Sequence, residues 1–322
     1  MRKPRLYLIL AFMVAASLTA ASVRPDTGFG CWVEKARLQA DWRASCEAMK
    51  AAGMSTMAFY PTSDDDLVQQ VETALEVGLV SSASPIILVS NMAPRPGVVG
   101  NEAEWADLPA RVDAARARAP HGDQWPEIVL YGTDEPSSAE QVKSWSESYH
   151  AGGYRCTTAL CVPNVQDFIP YLDILIVHAS PGVLTTENVC AIRAAGKEFA
   201  VYNVQLRCAS PDLMRYWAGL WTWQAKPLWN LMWEWAWFAQ DGERGPAAKA
   251  GLLGYRQGVA DYHALRAIDN LRRPPDWDFW PGICDRATNY DLWKADFNGT
   301  AATLPIHNPV APLLKGGVIG GH

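Results

Sequence analysis

Two adjacent carboxylic acids, Asp134 and Glu135, follow an apolar run that begins at Ile128, and Pro136 comes directly after them. Adjacent acids that leave a strand project differently, so one can face a leaving-group oxygen while its neighbour faces another part of a substrate. The same residues could instead begin a helix, with Asp134 as its N-cap and Pro136 at an early helical position. The place of the pair in the fold decides between these interpretations.

Apolar and β-branched runs alternate along the chain with amphipathic stretches, which is typical of βα units in a parallel sheet. Eight strands are expected, at Gly28–Val33, Thr56–Tyr60, Ile86–Ser90, Ile128–Tyr131, Arg155–Leu160, Ile174–His178, Phe199–Asn203 and Leu228–Trp233. Helices are expected at Asp41–Ala52, Asp64–Leu79, Glu102–Ala119, Ser138–His150, Pro211–Trp223 and Leu252–Leu271. The segments after strands five and six are short, so some of the barrel helices are expected to be reduced to a turn.

Eight strands in this pattern predict an α/β fold, a single (β/α)8 TIM barrel over residues 23–273, because such barrels use roughly 250 residues as one unit. An open doubly wound sheet is the alternative, but no glycine-rich phosphate loop follows the first strand. In a barrel the active site lies at the C-terminal strand ends, which would place Asp134 and Glu135 in the mouth. Residues 274–322 are expected to wrap the barrel and then become flexible.

The N-terminus has the pattern of an export signal. Basic MRKPR precedes an apolar run from Leu6 to Leu18 and a small-residue stretch that ends at Ser22. We therefore expect a signal peptide over residues 1–22 and a secreted, periplasmic or cell-surface protein without stable membrane insertion after cleavage. An uncleaved membrane anchor is the alternative.

Cysteine usage and charge limit the possible partners. In an exported chain disulfides are permitted, and the pairs closest in sequence are Cys31/Cys46, Cys156/Cys161 and Cys190/Cys208. No C-x-x-C pair occurs and the six histidines do not cluster, so neither zinc nor any other metal is expected. A net charge of −6 without a basic cluster argues against a nucleic-acid surface and favours a neutral or weakly charged substrate.

Two segments, Tyr131–Pro136 (YGTDEP) and Gly254–Leu265 (GYRQGVADYHAL), resemble glycoside hydrolase family 123 and its uncharacterised relatives. The resemblance implies an exo-acting barrel enzyme that removes a terminal N-acetylhexosamine, of the N-acetylgalactosamine type, without a cofactor. It also implies substrate-assisted catalysis, which departs from the usual two-carboxylate scheme. Glu135 would be the general acid/base at the glycosidic oxygen, and Asp134 would orient and stabilise the 2-acetamido group.

Strand ends other than the fourth supply candidate sugar contacts. The predicted substrate-binding residues are Trp32, Tyr60, Asn91, Tyr131, His178, Tyr202, Asn203, Gln205, Trp233, Glu234 and Trp235. Tryptophans alternate along the eighth strand and beyond it, which predicts that they share one face. Arg256 and Asp261, on the last helix, are expected to make an ion pair or a buried polar contact that closes the barrel.

Two other functions remain open at this stage. If the carboxylate of Glu234 lay about 5 Å from that of Glu135, a retaining mechanism with Glu234 as nucleophile would be possible. Glu234 could otherwise bind a sugar hydroxyl or be a buried partner for an arginine. A non-catalytic carbohydrate-binding barrel would keep the aromatic strand ends while the two acids became dispensable.

Overall fold

The computed structural model describes residues 26–38, 41–89, 105–203, 211–236 and 245–272, and its eight parallel strands form one closed barrel. The strands are β1 Gly28–Val33, β2 Ala58–Phe59, β3 Ile86–Val89, β4 Ile128–Tyr131, β5 Cys156–Leu160, β6 Ile174–His178, β7 Glu198–Asn203 and β8 Trp229–Met232. Each strand pairs with the next, and β8 closes the barrel against β1. The predicted (β/α)8 fold is therefore confirmed.

Helices surround the barrel. They are α1 Trp42–Ala51, α2 Asp64–Val77, α3 Leu108–Arg118, α4 Glu140–Ala151, α5 Thr186–Ala194, α6 Pro211–Tyr216, α7 Thr222–Ala225 and α8 Gly245–Arg272. A single 3-10 turn, Val165–Phe168, follows β5 as predicted. After β6 a full helix, α5, forms, and Thr185 caps it by accepting a hydrogen bond from the backbone N–H of Asn188.

The strands are apolar on both faces because each lies between two hydrophobic layers. The inner layer fills the barrel, and its members include Trp32, Ala58, Ile87, Val129, Tyr131, Ile176, Tyr202, Trp229 and Leu231. The outer layer packs the strands against the helices. Trp32, Tyr131 and Tyr202 are each the last or the penultimate residue of a strand, so their rings lie in the part of the core nearest the mouth.

The second helix, α2, begins and ends where its sequence predicts. Ser63 is the N-cap and accepts a hydrogen bond from the backbone N–H of Asp66. Acidic residues fill the first turn, where they interact favourably with the helix dipole. Gly78, at φ 74°, ends the helix in the left-handed conformation that glycine adopts without strain.

The last helix, α8, carries the segment Gly254–Leu265 and packs tightly on α6. A Cβ atom on Gly254 would lie 2.0 Å from the carbonyl oxygen of Pro211, so only glycine permits this contact. Asp261 forms an ion pair with Arg215 at 2.5 Å. Arg256 is exposed. The expected structural role therefore holds for Asp261, with Arg215 as its partner.

The cysteine pairings predicted from spacing are wrong wherever the structure describes both partners. All five described cysteines, Cys31, Cys46, Cys156, Cys161 and Cys190, are free thiols. Cys156 begins β5 and Cys161 follows its end, and five residues of extended chain span roughly 16 Å, too far for a disulfide. Cys31 and Cys46 are buried in the apolar layer between β1 and α1.

Several predictions concern residues outside the described ranges. They are the signal peptide over 1–22, the extension over 274–322, the substrate contacts Asn91 and Gln205, the side chain of Asn203, and the cysteine Cys208. Among the residues that the structure describes, no helix is both long enough and apolar enough to cross a membrane.

Candidate active site

The carboxylates of Asp134 and Glu135 lie just beyond the C-terminal end of β4, and both residues are exposed. Helix α4 begins only at Glu140 and has Ala139 as its N-cap, so Asp134 does not cap it. Glu135 adopts φ 46°, in the left-handed region that residues other than glycine rarely occupy. Such strained backbone is concentrated at functional sites. The structure therefore favours the interpretation of Asp134 and Glu135 as part of a functional site over their interpretation as the start of a helix.

The chain between β4 and the acids is held in place by close packing. A Cβ atom on Gly132 would lie 2.2 Å from Cζ2 of Trp145, a buried residue of α4. The hydroxyl of Thr158, in β5, donates a hydrogen bond to the carbonyl oxygen of Thr133. These contacts fix the direction in which the chain enters the Asp-Glu pair.

Each acid receives a hydrogen bond from a tyrosine hydroxyl. Tyr131 Oη lies 2.5 Å from Asp134 Oδ1 and also accepts a hydrogen bond of 3.0 Å from the backbone N–H of Ala159. Tyr202 Oη lies 2.5 Å from Glu135 Oε1. Burial, reinforced by the neighbouring carboxylates, raises the pKa of both tyrosines, so both remain protonated donors. Hydrogen bonds to carboxylates are among the stronger ones in proteins and restrict their orientation.

A second donor to Glu135, the thiol of Cys161, was not predicted from the sequence. The thiol of Cys161 lies 3.0 Å from Glu135 Oε1 and 2.8 Å from Tyr202 Oη. Burial raises the pKa of Cys161 to about 12, and the charge of Glu135 adds to this effect while the hydrogen bond with Tyr202 opposes it. Cys161 directly follows β5, so the strand-end rule that identified the other candidates would also have found it.

Glu135 uses its two carboxylate oxygens differently. Oε1 accepts from Tyr202 and Cys161, whereas Oε2 receives no hydrogen bond from the part of the chain that the structure describes. An acid held in this way can carry a proton on Oε2 while Oε1 remains the acceptor. Oε2 is therefore the oxygen available for proton transfer.

Aromatic side chains surround the two acids. The ring of Trp32 lies 5.3 Å from that of Tyr202, 6.5 Å from Tyr131 and 5.9 Å from Trp233, measured between ring centroids. His178 packs edge-on against Tyr202 at 4.9 Å. Burial lowers the pKa of His178 although the charge of Glu135 acts in the opposite direction, so its imidazole is neutral at neutral pH. Five residues that were predicted to contact a sugar therefore lie close together: Trp32, Tyr131, His178, Tyr202 and Trp233.

Glu234, just after β8, is 1% exposed, and its Oε2 lies 2.9 Å from Nη1 of Arg37. Arg37, which also pairs with Glu34, ends the 3-10 turn Lys35–Arg37 after β1 and was not predicted, since nothing in its local sequence marks it. Tyr60 lies within electrostatic reach of Asp134, after β4, and of Glu234, after β8. Burial raises the pKa of Tyr60 most, and the charges of these two acids raise it further. The positions of Tyr60 and Glu234 are therefore consistent with their prediction as residues of the site.

One predicted contact, Trp235, lies elsewhere. β8 ends at Met232, after which the chain leaves the extended conformation, so the alternation of tryptophans does not continue. Trp229 belongs to the inner layer of the barrel, whereas Trp235 is 2% exposed and belongs to the outer layer. The prediction that these residues share one face is wrong, and Trp235 packs between barrel and helices.

Comparison with protein families and with curated proteins gives no match. Among solved structures, tryptophan synthase from M. tuberculosis in an aminoacrylate- and BRD0059-bound form is 11% identical, with 76% of this chain and 96% of that chain covered and a TM-score of 0.46. A GH30 endoxylanase from Clostridium papyrosolvens C71 is 12% identical, with 73% of this chain and 71% of that chain covered and a TM-score of 0.45. The GH39 enzyme from Xanthomonas axonopodis pv. citri is 14% identical, with 65% of this chain and 58% of that chain covered and a TM-score of 0.44. At these values the similarity carries no argument about function.

Proposed function

We propose that this protein is an exported glycoside hydrolase, similar to family 123, that removes a terminal N-acetylhexosamine by substrate-assisted catalysis. The observation that carries the proposal is the acid pair Asp134 and Glu135 at the end of β4, with each acid hydrogen-bonded to a different tyrosine. Barrel enzymes assemble their active sites at this end of the strands. The aromatic rings around the acids suit the apolar face of a sugar.

The proposed reaction uses the two acids in different roles. Glu135 donates a proton from Oε2 to the glycosidic oxygen as the bond between that oxygen and the anomeric carbon breaks. The carbonyl oxygen of the substrate's own 2-acetamido group attacks the anomeric carbon and forms an oxazoline-type intermediate. Asp134, held by Tyr131, accepts a hydrogen bond from the acetamido N–H and stabilises the positive charge that develops there. Water then opens the intermediate, and Glu135 takes up its proton.

The alternative in which Glu234 acts as nucleophile is less well supported. Glu234 is almost completely buried and forms an ion pair with Arg37. This pair matches the expectation of a buried acid that serves as partner of an arginine. A carboxylate that is this inaccessible and already paired is poorly placed to attack an anomeric carbon, which favours a positioning role for Glu234.

Hydrolysis of four aryl β-glycosides by the purified protein tests the proposal. The sugars are N-acetylgalactosamine, N-acetylglucosamine, galactose and glucose. We expect cleavage of the N-acetyl sugars alone, lost in Asp134→Asn and unchanged in Glu147→Gln, which alters an exposed acid of α4. Cleavage of plain galactosides or glucosides would contradict substrate assistance and favour the two-carboxylate alternative. Sugar binding without cleavage would indicate the non-catalytic barrel.

A further inference from the structure

A second group of chemically reactive side chains lies at the end of the barrel opposite the mouth. His150 lies at the end of α4, Cys156 begins β5 and Asp173 immediately precedes β6. The imidazole, thiol and carboxylate ligand atoms all lie within 4.8 Å of one another. Because the N-terminal strand ends are at the bottom of the barrel, this group is separate from Asp134 and Glu135.

We propose that His150, Cys156 and Asp173 bind a thiophilic divalent cation, with Zn²⁺ as the best match. Imidazole nitrogen, thiolate sulfur and carboxylate oxygen are the three donor types that zinc takes from proteins. A tetrahedral zinc ion separates a sulfur and a nitrogen ligand by about 3.6 Å, and Cys156 Sγ lies 3.5 Å from His150 Nε2. His150 Nε2 lies 2.8 Å from Asp173 Oδ2, a spacing that would open to about 3.4 Å when a cation replaces the hydrogen bond.

An independent observation at the same place is the hydroxyl of Tyr149. This hydroxyl is buried and has no hydrogen-bond partner among the described residues. Tyr149 directly precedes His150 in α4, and its hydroxyl is within electrostatic reach of the Cys156 thiol. A buried hydroxyl without a partner is unfavourable. A water molecule that completes the coordination of the cation would give it one.

Binding of a cation at the cluster would be coupled to the release of a proton, because one of the three ligands is a thiol. The Cys156 thiol is buried, and it must lose its proton when it binds a cation. It contacts the carbonyl oxygen of Tyr171 at 3.3 Å. Asp173 Oδ2 accepts a hydrogen bond of 3.0 Å from the backbone N–H of Cys156 and lies beside His150, so the carboxylate is already oriented toward the cluster. Lys197 Nζ lies 3.4 Å from Asp173 Oδ1 and adds a positive charge beside the cluster. The ion can enter beside His150, whose side chain is 38% exposed.

Titration of the full-length protein with Co²⁺ tests this site, because a cobalt–thiolate bond gives a charge-transfer absorption band. We expect the band to appear with micromolar or tighter affinity, one proton to be released per ion, and Zn²⁺ to displace Co²⁺. Cys156→Ser should abolish the band, and His150→Gln should weaken binding about tenfold or more. Cys190→Ser, which alters an exposed thiol of α5, is the matched control and should leave the band unchanged.

Three results would overturn the proposal. The wild-type protein could give no band, the band could survive in Cys156→Ser, or His150→Gln could bind Co²⁺ as tightly as the wild type. Because His150 is partly exposed, its variant is expected to fold, which circular dichroism would verify. Tyr149→Phe should lower the affinity while keeping the band. None of these readouts depends on hydrolysis, so the site is tested independently of the proposed enzyme activity.

Discussion

The hydroxyl of Tyr202, in β7, lies 2.5 Å from Glu135 Oε1, just beyond β4, so one hydrogen bond joins two strands that are not neighbours in the barrel. This bond and the thiol of Cys161 hold one oxygen of Glu135. The other oxygen receives no such contact from the described residues. These contacts orient Glu135 but leave its second oxygen accessible. A group that donates a proton to a substrate needs both properties.

Replacement of Tyr202 by phenylalanine removes this hydroxyl and keeps the ring against Trp32. A hydrogen bond to a charged group contributes about 1.5–3 kcal/mol, so we expect kcat/KM for the N-acetyl substrate to fall about ten- to a hundredfold. Steady-state kinetics with an aryl glycoside would measure the loss.

The control for this variant is Tyr154→Phe. Tyr154 Oη also lies 2.5 Å from a carboxylate oxygen, that of Asp113, but Tyr154 is a half-buried residue before the N-terminal end of β5, away from the mouth. Its replacement should leave kcat/KM unchanged. Equal losses in the two variants would show that the effect of Tyr202→Phe comes from general destabilisation.

The reactivity of Cys161 tests the contact with Glu135 without requiring any substrate. The pKa of about 12 predicts slow alkylation by iodoacetamide at neutral pH, because the thiolate is the reactive form. The exposed Cys190 should react first. Glu135→Gln removes the charge that raises this pKa and should accelerate the labelling of Cys161, as followed by mass spectrometry of peptides. An unchanged rate at Cys161 would argue against the contact.

Substitution of Gly132 by alanine should destabilise the fold. The new Cβ atom would lie 2.2 Å from the Trp145 indole, so the strand end or the helix must shift. We expect the free energy of unfolding, measured with urea, to fall by about 1–3 kcal/mol. If this clash is the cause, Gly132→Ala combined with Trp145→Phe should be less destabilised than the sum of the single variants. Strict additivity would contradict it.

Stability should depend on pH through His178, whose pKa is lowered by burial. As the pH falls, His178 takes up a proton in the unfolded chain before it does so in the folded protein. The contribution of the neutral, buried His178 to stability is therefore present above the ordinary histidine pKa of about 6.5 and is lost as the pH falls below it. We expect the wild type to lose more stability between about pH 7.5 and pH 5.5 than His178→Gln, measured by urea unfolding. Equal losses in both proteins would contradict the assignment.

Local sequence patterns sufficed for the barrel and for the acid pair. Strand β1, for example, has the predicted limits Gly28–Val33, because a run that is apolar on both faces has few alternatives to a buried parallel strand. The position of Asp134 and Glu135 followed from the rule that barrel sites lie at the C-terminal strand ends.

Contacts between distant segments were harder to predict. Arg37 meets Glu234 only because the barrel closes β8 against β1, and no local pattern encodes this meeting. The His150, Cys156 and Asp173 cluster joins three elements whose spacing matches no metal motif. Trp235 was assigned to the wrong face because the alternation of tryptophans does not reveal that β8 ends at Met232.

The most direct test of the central claim compares leaving groups in Glu135→Gln. If Glu135 protonates the departing oxygen, a phenyl N-acetylhexosaminide, whose leaving group needs the proton, should lose about a hundredfold or more in kcat/KM. A dinitrophenyl analogue, whose leaving group departs without a proton, should be affected far less. Equal losses with both substrates, or no loss with either, would contradict the assignment of Glu135 as the general acid.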